Sequence, residues 1–181
     1  MKDWKEVEGW IEEEVGPILA ELAKDKVCVE VGSYKGKSSC AIGSTAKHLH
    51  CVDLFKADNT GIILENITTL DEFKENTVGY PITYYVGDSK THCDKFENDS
   101  IDLIFIDSSH KYVETVEEIN CWWDKVKIGG TFCFHDCLID SVPETVGLGG
   151  VGKAVLTRFK VEDISGIQNT LVWFNNHRAN E

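Results

Sequence analysis

A glycine-rich stretch near residue 30 has the composition of a ligand-binding loop. In VCVEVGSYKGKSS, Gly32, Gly36, Lys37 and Ser38 follow a run of β-branched residues. Their order resembles G-x-x-x-x-G-K-[ST], the phosphate-binding loop of nucleotide hydrolases, but three residues instead of four separate the glycines. The stretch therefore fits either a nucleotide phosphate or another ligand that needs close approach to the backbone at a strand end.

Five acidic residues along the chain help to decide between a nucleotide phosphate and another ligand. Each of five carboxylates lies in or directly after a short apolar run: Glu30, Asp53, Asp88, Asp107 and Asp136. Because the carboxyl ends of parallel strands form one edge of a sheet, we expect these groups to converge around the glycine loop. A triphosphate would meet this negative charge with little beyond Lys35 and Lys37 to offset it, so a cationic ligand suits the site better.

One feature still supports a nucleotide hydrolase. The run DLIFID (102–107) resembles a Walker B strand, in which an Asp holds Mg²⁺. Against it, Asp53 follows Gly32 at about the 20-residue spacing at which a Rossmann-like site places its ribose-binding acid. The loop spacing and the charge make the nucleotide-hydrolase hypothesis the weaker one.

Alternating short apolar runs and helical patterns must position these residues. This alternation predicts a Rossmann-like, doubly wound, mostly parallel sheet in one domain, 1–181, with an N-terminal flanking helix within 1–24. A terminal hairpin through 165–169 would add antiparallel strands. The predicted strands are 27–31, 50–54, 82–86, 101–106, 131–134, 159–164 and 170–174; the predicted helices are 4–23 (bent at Gly16-Pro17), 37–47, 66–77, 89–97, 112–126 and 151–159.

The amino-acid composition limits the kinds of molecule that the protein is expected to bind. The 18 basic and 31 acidic residues give a net charge of −13 without a basic cluster, which argues against nucleic acid and anionic membranes. No apolar run is long enough to span a membrane, and the acidic N-terminus lacks an export signal. Cysteines are seven in number, several of them in apolar runs (Cys28, Cys51, Cys133), so we expect free thiols and a cytoplasmic location.

The ordered motifs carry a family resemblance. VEVGSYKGKSS, HCVDLF, GDS (87–89), IDLIFIDSSHKY (101–112) and IGGTFCFHDC (128–137) resemble the class I S-adenosylmethionine-dependent methyltransferases. Within them, the chain is similar to small-molecule O-methyltransferases with D-x-x-H-x-Y after the fourth strand and G-G-x-x-x-x-H-D at the fifth. The resemblance covers roughly 25–160 and implies a seven-stranded sheet whose last strand is antiparallel.

The resemblance also implies a pose for S-adenosyl-L-methionine. The glycine loop would approach its methionine part, Glu30 would favour its ammonium group, and Asp53 would accept both ribose hydroxyls. Each role has a structural alternative: a tight turn at the glycines, a solvated Asp53, and a helix cap at Asp88-Ser89. The implied cofactor-binding residues are Glu30, Gly32, Ser33, Gly36, Asp53, Asp88, Ser89 and Asp107.

For the transfer itself, His110 is the predicted general base, with a backbone-bonded helix-start histidine as the alternative. Relatives often hold a divalent ion at strand ends four and five, where Asp107, Asp136 and His135 stand here. Imidazole suits Mg²⁺ less than oxygen does, so a softer ion or no ion stays open; zinc on Cys133 and Cys137 matches no standard spacing.

The acceptor is the least determined part of the prediction. A small hydroxylated molecule is expected, held by the stretch 55–81 (Phe55, Phe73, Tyr80) and the N-terminal helix, with a homo-oligomer completing the pocket as one option. A P-loop-like hydrolase and a non-catalytic cofactor-binding module are the two alternatives.

Overall fold

The computed structural model describes residues 1–57, 62–137 and 149–177. It confirms the predicted fold class: seven strands form a mostly parallel sheet in the order β3-β2-β1-β4-β5-β7-β6. The strands are β1 (Val27–Val31), β2 (His48–Asp53), β3 (Ile82–Val86), β4 (Ile101–Ile106), β5 (Val126–Phe134), β6 (Ile164–Gln168) and β7 (Leu171–Asn175). The helices are α1 (Val15–Ala23), α2 (Lys37–Gly43), α3 (Leu70–Asn76), α4 (Tyr112–Trp122) and α5 (Gly149–Val155).

Contacts along the chain divide the structure into two compact units, Met1–Asp88 and Ser89–Glu181. The prediction of one domain over 1–181 stays a prediction. Among the described residues, no helix is long and apolar enough to cross a membrane.

In the first unit, β1, β2 and β3 pair in parallel, with Val31 opposite Val52 and Asp53 opposite Val86. β1 is an almost continuous apolar run, typical of a strand buried on both faces. The register brings the glycine loop after β1 and the acid at the end of β2 to the same edge of this part of the sheet.

The long N-terminal helix predicted over 4–23 is wrong. Only α1 and a short 3₁₀ turn, Trp4–Glu6, are helical. Gly16 and Pro17 do not bend a helix but lie in the first turn of α1, where Pro is tolerated because its missing N–H has no partner there anyway. The apolar pattern was still informative, because Val7, Ile11 and Val15 are buried.

In the second unit, β4 and β5 are parallel, whereas β7 runs antiparallel to both β5 and β6. The C-terminal hairpin is confirmed, but its first strand is Ile164–Gln168 and not 159–164. Its turn lies at Asn169, which adopts a left-handed φ of 53°. Phe159 instead packs on Phe174, with ring centroids 4.5 Å apart, in an aromatic cluster.

The apolar spacing in 112–126 predicts that Val113, Val116, Ile119, Trp123 and Val126 face the sheet, and helix α4 follows this prediction only in part. Val113 is 62% exposed, whereas Thr115, Glu118, Ile119 and Trp122 are buried. The predicted helix over 89–97 is also wrong: two 3₁₀ turns, Ser89–Thr91 and Cys93–Lys95, occupy it. Cys93 is disulfide-bonded to Cys121 of α4, which departs from the expectation of free thiols, although the remaining five cysteines are free and buried.

Candidate active site

Glu30 forms the deepest part of the predicted cofactor region. Its side chain in β1 is fully buried, and its Oε2 accepts hydrogen bonds from the hydroxyls of Ser33 and Ser39, the former at 2.7 Å. The thiol of Cys51 in β2 donates to the same oxygen at 3.3 Å. Burial raises the pKa of Glu30, and these donors oppose the shift. Glu30 thus ties the loop, α2 and β2 together, and its burial favours an indirect effect on a ligand over direct contact.

Asp53 anchors the glycine loop from the end of β2. Its Oδ2 accepts the backbone amides of Ser33 and Tyr34, the latter at 2.8 Å, and its Oδ1 accepts the amide of Phe55. A carboxylate offers about four acceptor positions, so about one is left for a ligand hydroxyl. Accepting both ribose hydroxyls, as the resemblance implies, would require one loop amide to release Asp53.

Gly36 shows why the loop needs glycine at its end. It adopts a left-handed φ of 91°, and an added Cβ would lie 2.9 Å from Thr77 Cγ2 and 3.2 Å from the Phe73 ring. The loop therefore turns into α2 directly against α3. Phe73 is fully buried, so it serves the core and not the predicted acceptor pocket. Tyr80, also predicted for that pocket, donates its hydroxyl to the carbonyl of Lys2.

The two loop lysines contact the protein's own N-terminal segment. Lys35 Nζ lies 2.9 Å from both Glu8 and Glu72, and its side chain is only 14% exposed. Lys37 Nζ donates to the carbonyl of Gly9 at 3.3 Å. Trp10 stacks on Tyr34 with centroids 4.6 Å apart. Both lysine ammonium groups thus contact acceptors within the protein, whereas the P-loop hypothesis requires a lysine that contacts the phosphates of a nucleotide.

The residues of GDS fall at the unit boundary. Asp88 is exposed at the end of the first unit, as a ligand-binding side chain requires. Ser89, buried in the second unit, donates its hydroxyl to Glu118 Oε1 at 2.8 Å. Ser108, in the loop after β4, donates to Glu118 Oε2 at 2.6 Å. Glu118 therefore holds both the segment that begins at Ser89 and the loop that carries Asp107.

The second unit brings four predicted residues together at the ends of β4 and β5. His110 Nε2 lies 3.0 Å from Asp136 Oδ2, and His135 Nδ1 lies 3.3 Å from Asp107 Oδ1 and 3.6 Å from Asp136 Oδ2. His110 is 41% exposed, whereas His135 is 4% exposed. His110 is thus the histidine that a substrate can reach.

Charge pairing controls protonation in this cluster. The interaction with Asp136 raises the pKa of His110 above its ordinary value, although burial opposes it. Burial lowers the pKa of His135, but hydrogen bonding to Asp107 and Asp136 outweighs burial and raises it to about 11. Hydrogen bonds from His110 and His135 hold the pKa of Asp136 well below its usual range. The buried His135 is therefore a cation at neutral pH, paired with two carboxylates.

A divalent ion would find a different ligand set from the predicted one. One ligand atom each of Asp107, His110 and Asp136 lies within 4.8 Å of the others, and His135 is not part of this group. Two carboxylates with one imidazole fit Mn²⁺ or Zn²⁺, which accept nitrogen beside oxygen ligands, better than Mg²⁺, which prefers oxygen ligands alone. The metal assignment of His135 stays a prediction, and the positive charge of its ring disfavours it as a metal ligand, since a ligating imidazole must be neutral.

Sequence reasoning missed two residues of this region. Glu118 lies beside another acid in a helix and has no distinguishing sequence pattern, since only the true buried face of α4 identifies it. Gly150, in α5, packs against the loop of His110: an added Cβ would lie 2.2 Å from the His110 carbonyl oxygen. The glycines at 147, 149 and 150 were the available signal of such a close approach.

The sheet order, the glycine loop and the acid at the end of β2 define a Rossmann-like methyltransferase. The chain belongs to the Methyltransf_24 family, described as a methyltransferase domain, whose model matches residues 29–137. This family membership confirms the resemblance and makes the protein an S-adenosylmethionine-dependent methyltransferase. No curated protein matches the chain.

Solved structures share the fold at low identity. Cofactor-bound Rv0187 from MTB is 13% identical, with a TM-score of 0.73 over 95% of this chain and 84% of that one. The O-methyltransferase NovP is 13% identical, with a TM-score of 0.64 over 91% and 79%. CalS11, a TDP-rhamnose 3'-O-methyltransferase, is 13% identical, with a TM-score of 0.63 over 90% and 77%.

Proposed function

We propose that this methyltransferase methylates a hydroxyl oxygen of a small acceptor, with His110 as the general base. The observation that carries the proposal is the pairing of a partly exposed His110 with Asp136, 3.0 Å from Nε2. When Nε2–H donates to Asp136, the lone pair of Nδ1 is left to accept the acceptor's proton. Asp136 then stabilises the imidazolium that forms, as an orienting carboxylate does in other base-assisted reactions.

The first unit supplies the proposed cofactor contacts. When bound, S-adenosylmethionine provides the sulfonium methyl group for an in-line displacement. Asp53 accepts a ribose hydroxyl, the loop from Gly32 to Gly36 lies against the methionine part, and Asp88 accepts from the adenine amino group. Glu30 acts behind the loop, because its own carboxyl is fully buried. The chain's part of catalysis is thus to orient the donor and remove the acceptor's proton.

Metal assistance is a second candidate, favoured by the grouping of Asp107, His110 and Asp136. These three residues would hold the ion, which would lower the pKa of the acceptor hydroxyl. Asp136 would then serve as a ligand, and His110 could not orient through it as a base. The two candidates therefore predict opposite responses to chelation.

The proposed acceptor is a small molecule, since a net charge of −13 disfavours nucleic acid as the substrate. The first unit contains a cavity of about 290 Å³ with a mainly apolar lining that includes Leu54, Phe55, Ile67 and Val86. Its size is near the lower end for small-molecule pockets. Part of the stretch 55–81 predicted to bind the acceptor, residues 58–61, lies outside the described residues. A homo-oligomer and a cytoplasmic location stay predictions.

A labelled-methyl assay tests the proposal. The purified protein is incubated with S-adenosylmethionine carrying an isotopic methyl label and matched acceptors that differ in one atom: phenols and sugar alcohols against the corresponding amines and thiols. Label recovered on oxygen in the wild type, and lost in His110→Ala, supports the proposal. Label on nitrogen or sulfur alone would refute O-methylation, and transfer undiminished in His110→Ala would refute the base.

A further inference from the structure

A disulfide lies close to the residues that organise the second unit. Cys93, in the 3₁₀ turn Cys93–Lys95, is bonded to Cys121 near the end of α4, with Cα atoms 6.1 Å apart, within the usual range for a disulfide. The other five cysteines are free and buried. This pairing therefore selects two of seven thiols, and both belong to elements next to Ser89 and Glu118.

The bond fixes the segment after Asp88 to α4. Glu118 and Cys121 are three residues apart and thus on one side of the helix, one turn from each other. Glu118 accepts from Ser89, and Cys121 is bonded to Cys93, so the segment 89–93 is attached to α4 at both ends. Packing of Phe96 on Trp122, with centroids 5.1 Å apart, continues the same contact.

We propose that the Cys93–Cys121 pair is a reversible redox modification site that sets cofactor affinity. The inference rests on the proposed function, in which Asp88, the residue directly before Ser89 in the chain, accepts from the adenine amino group. With the disulfide intact, the segment that begins at Ser89 is held in one position. Once the disulfide is reduced, the segment keeps the Ser89–Glu118 hydrogen bond, the Lys90–Glu117 ion pair and the packing of Phe96 on Trp122. It loses its covalent link to α4, so part of the ordering cost falls on cofactor binding.

The chemistry requires a dithiol reductant and, in reverse, a small-molecule disulfide such as oxidised glutathione. A reductant thiolate attacks the Cys121 sulfur and releases the Cys93 thiolate, which takes a proton. The second thiolate of the reductant then attacks the reductant sulfur that is bonded to Cys121 in the mixed disulfide. This step releases the Cys121 thiolate, which also takes a proton. Two electrons pass to the protein and the reductant becomes a disulfide. Attack falls on Cys121 because it is partly exposed, whereas Cys93 is only 5% exposed.

Binding of the cofactor product and reduction of the disulfide must affect each other by the same factor, because the two equilibria are thermodynamically linked. If the disulfide form binds S-adenosylhomocysteine more tightly, that ligand must protect the disulfide from reduction by the same factor. We expect a difference of about fivefold or more, the lower end of typical couplings between sites. A tenfold difference would move the midpoint potential of the pair by about 30 mV, toward more negative values, when the ligand saturates the protein.

The test combines a thiol count with binding. The full chain is equilibrated in glutathione buffers of graded potential, alkylated, and analysed by mass spectrometry to locate the disulfide. Its dissociation constant for S-adenosylhomocysteine is then measured by calorimetry in the oxidised and reduced forms. The double variant Cys93→Ser/Cys121→Ser should bind like the reduced wild type and should not respond to reductant.

The possible results distinguish a failure of the redox inference from a failure of the proposed cofactor site. Weaker binding on reduction, reproduced by the double variant, supports the inference. Seven free thiols across all buffers, or a disulfide whose reduction leaves the dissociation constant unchanged, would overturn the inference alone. Binding by neither form would overturn the proposed cofactor site and the coupling together, while the alkylation pattern would still show whether the disulfide exists. The reduced wild type requires no substitution, so misfolding of the double variant would not obscure the result.

Discussion

The backbone amide of Tyr34 donates to the carboxylate of Asp53 at 2.8 Å, so the acid at the end of β2 holds the glycine loop. The same Oδ2 also accepts the amide of Ser33. Asp53 therefore has two tasks, one in the protein itself and one toward the proposed ribose. Any substitution of Asp53 will affect the loop as well as the ligand.

Asp53→Ala should weaken the binding of S-adenosylhomocysteine by about 1.5–3 kcal/mol, the scale of hydrogen bonds to a charged group. Calorimetric titration measures this change. Asp71→Ala, which removes a carboxylate 90% exposed in α3, is the matched control and should bind like the wild type. Wild-type affinity in Asp53→Ala would show that the ribose assignment is incorrect.

Lys37→Ala should change cofactor affinity by no more than about 0.5 kcal/mol, as is usual for a substitution away from a ligand. The ammonium of Lys37 donates to the carbonyl of Gly9, and a sulfonium cofactor has no phosphate for it to bind. Titrations of the variant with S-adenosylhomocysteine and with ATP check this. ATP binding by the wild type that disappears in Lys37→Ala would instead indicate a phosphate-binding loop.

Gly150→Ala should lower turnover and destabilise the protein by about 1–3 kcal/mol, the usual cost of overpacking. Its Cβ would lie 2.2 Å from the His110 carbonyl oxygen, so the loop that carries the proposed base must move. Urea unfolding and steady-state kinetics measure the two effects. Lys153→Ala, an exposed change in the same helix, is the control; equal stability of both variants would mean that α5 does not constrain His110.

The sequence predicted the strands well because their apolar runs are determined locally. β1, β3 and β4 have the predicted bounds, since β-branched residues between glycines or acids leave little choice. The parallel order and the strand-end acids followed from the alternation of elements. These features follow from local sequence patterns and from the order of those patterns along the chain.

Helix faces and backbone strain could not be predicted in this way. On α4, Glu118 is buried and accepts hydrogen bonds from two serines, whereas Val113 of the predicted apolar stripe is exposed. Tyr34, Phe55 and Asp136 adopt left-handed φ angles of 48°, 55° and 51°. Such angles are unusual for residues other than glycine and depend on tertiary contacts, which is why the geometry beside the predicted site residues was not evident from sequence.

His50 should make the protein less stable in mild acid. Burial and the neighbouring His48 lower the pKa of His50 to about 4, against about 6.5 for an unperturbed histidine. The unfolded chain therefore binds the proton more readily, so this contribution to stability is complete above about pH 6.5 and is lost as the pH falls toward 4. Relative to His50→Gln, the urea midpoint of the wild type should fall more between pH 7 and pH 5.

His177→Gln is the control for this comparison, because it removes an exposed imidazole and leaves the half-buried His50 in place. It should follow the wild-type pH dependence. Parallel curves for the wild type and His50→Gln would show that His50 is not held neutral by its contacts in β2.

Chelation should distinguish the two proposed routes of proton removal at Asp107, His110 and Asp136. If an ion bound by these residues acidifies the acceptor, EDTA and Asp136→Asn should each depress turnover, while affinity for S-adenosylhomocysteine stays nearly unchanged, because the ion acts on the acceptor and not on the adenosine part. Added Mn²⁺ should restore the chelated wild type but not the variant.

If His110 acts alone as the base, EDTA should have no effect, and His110→Ala should lose about 10²–10⁴-fold in turnover, the usual contribution of a general base. The buried His135 cation favours the second result, since without an ion it already offsets part of the negative charge of Asp107 and Asp136. Turnover that survives exhaustive chelation would eliminate the metal route, and turnover that survives His110→Ala would eliminate the base.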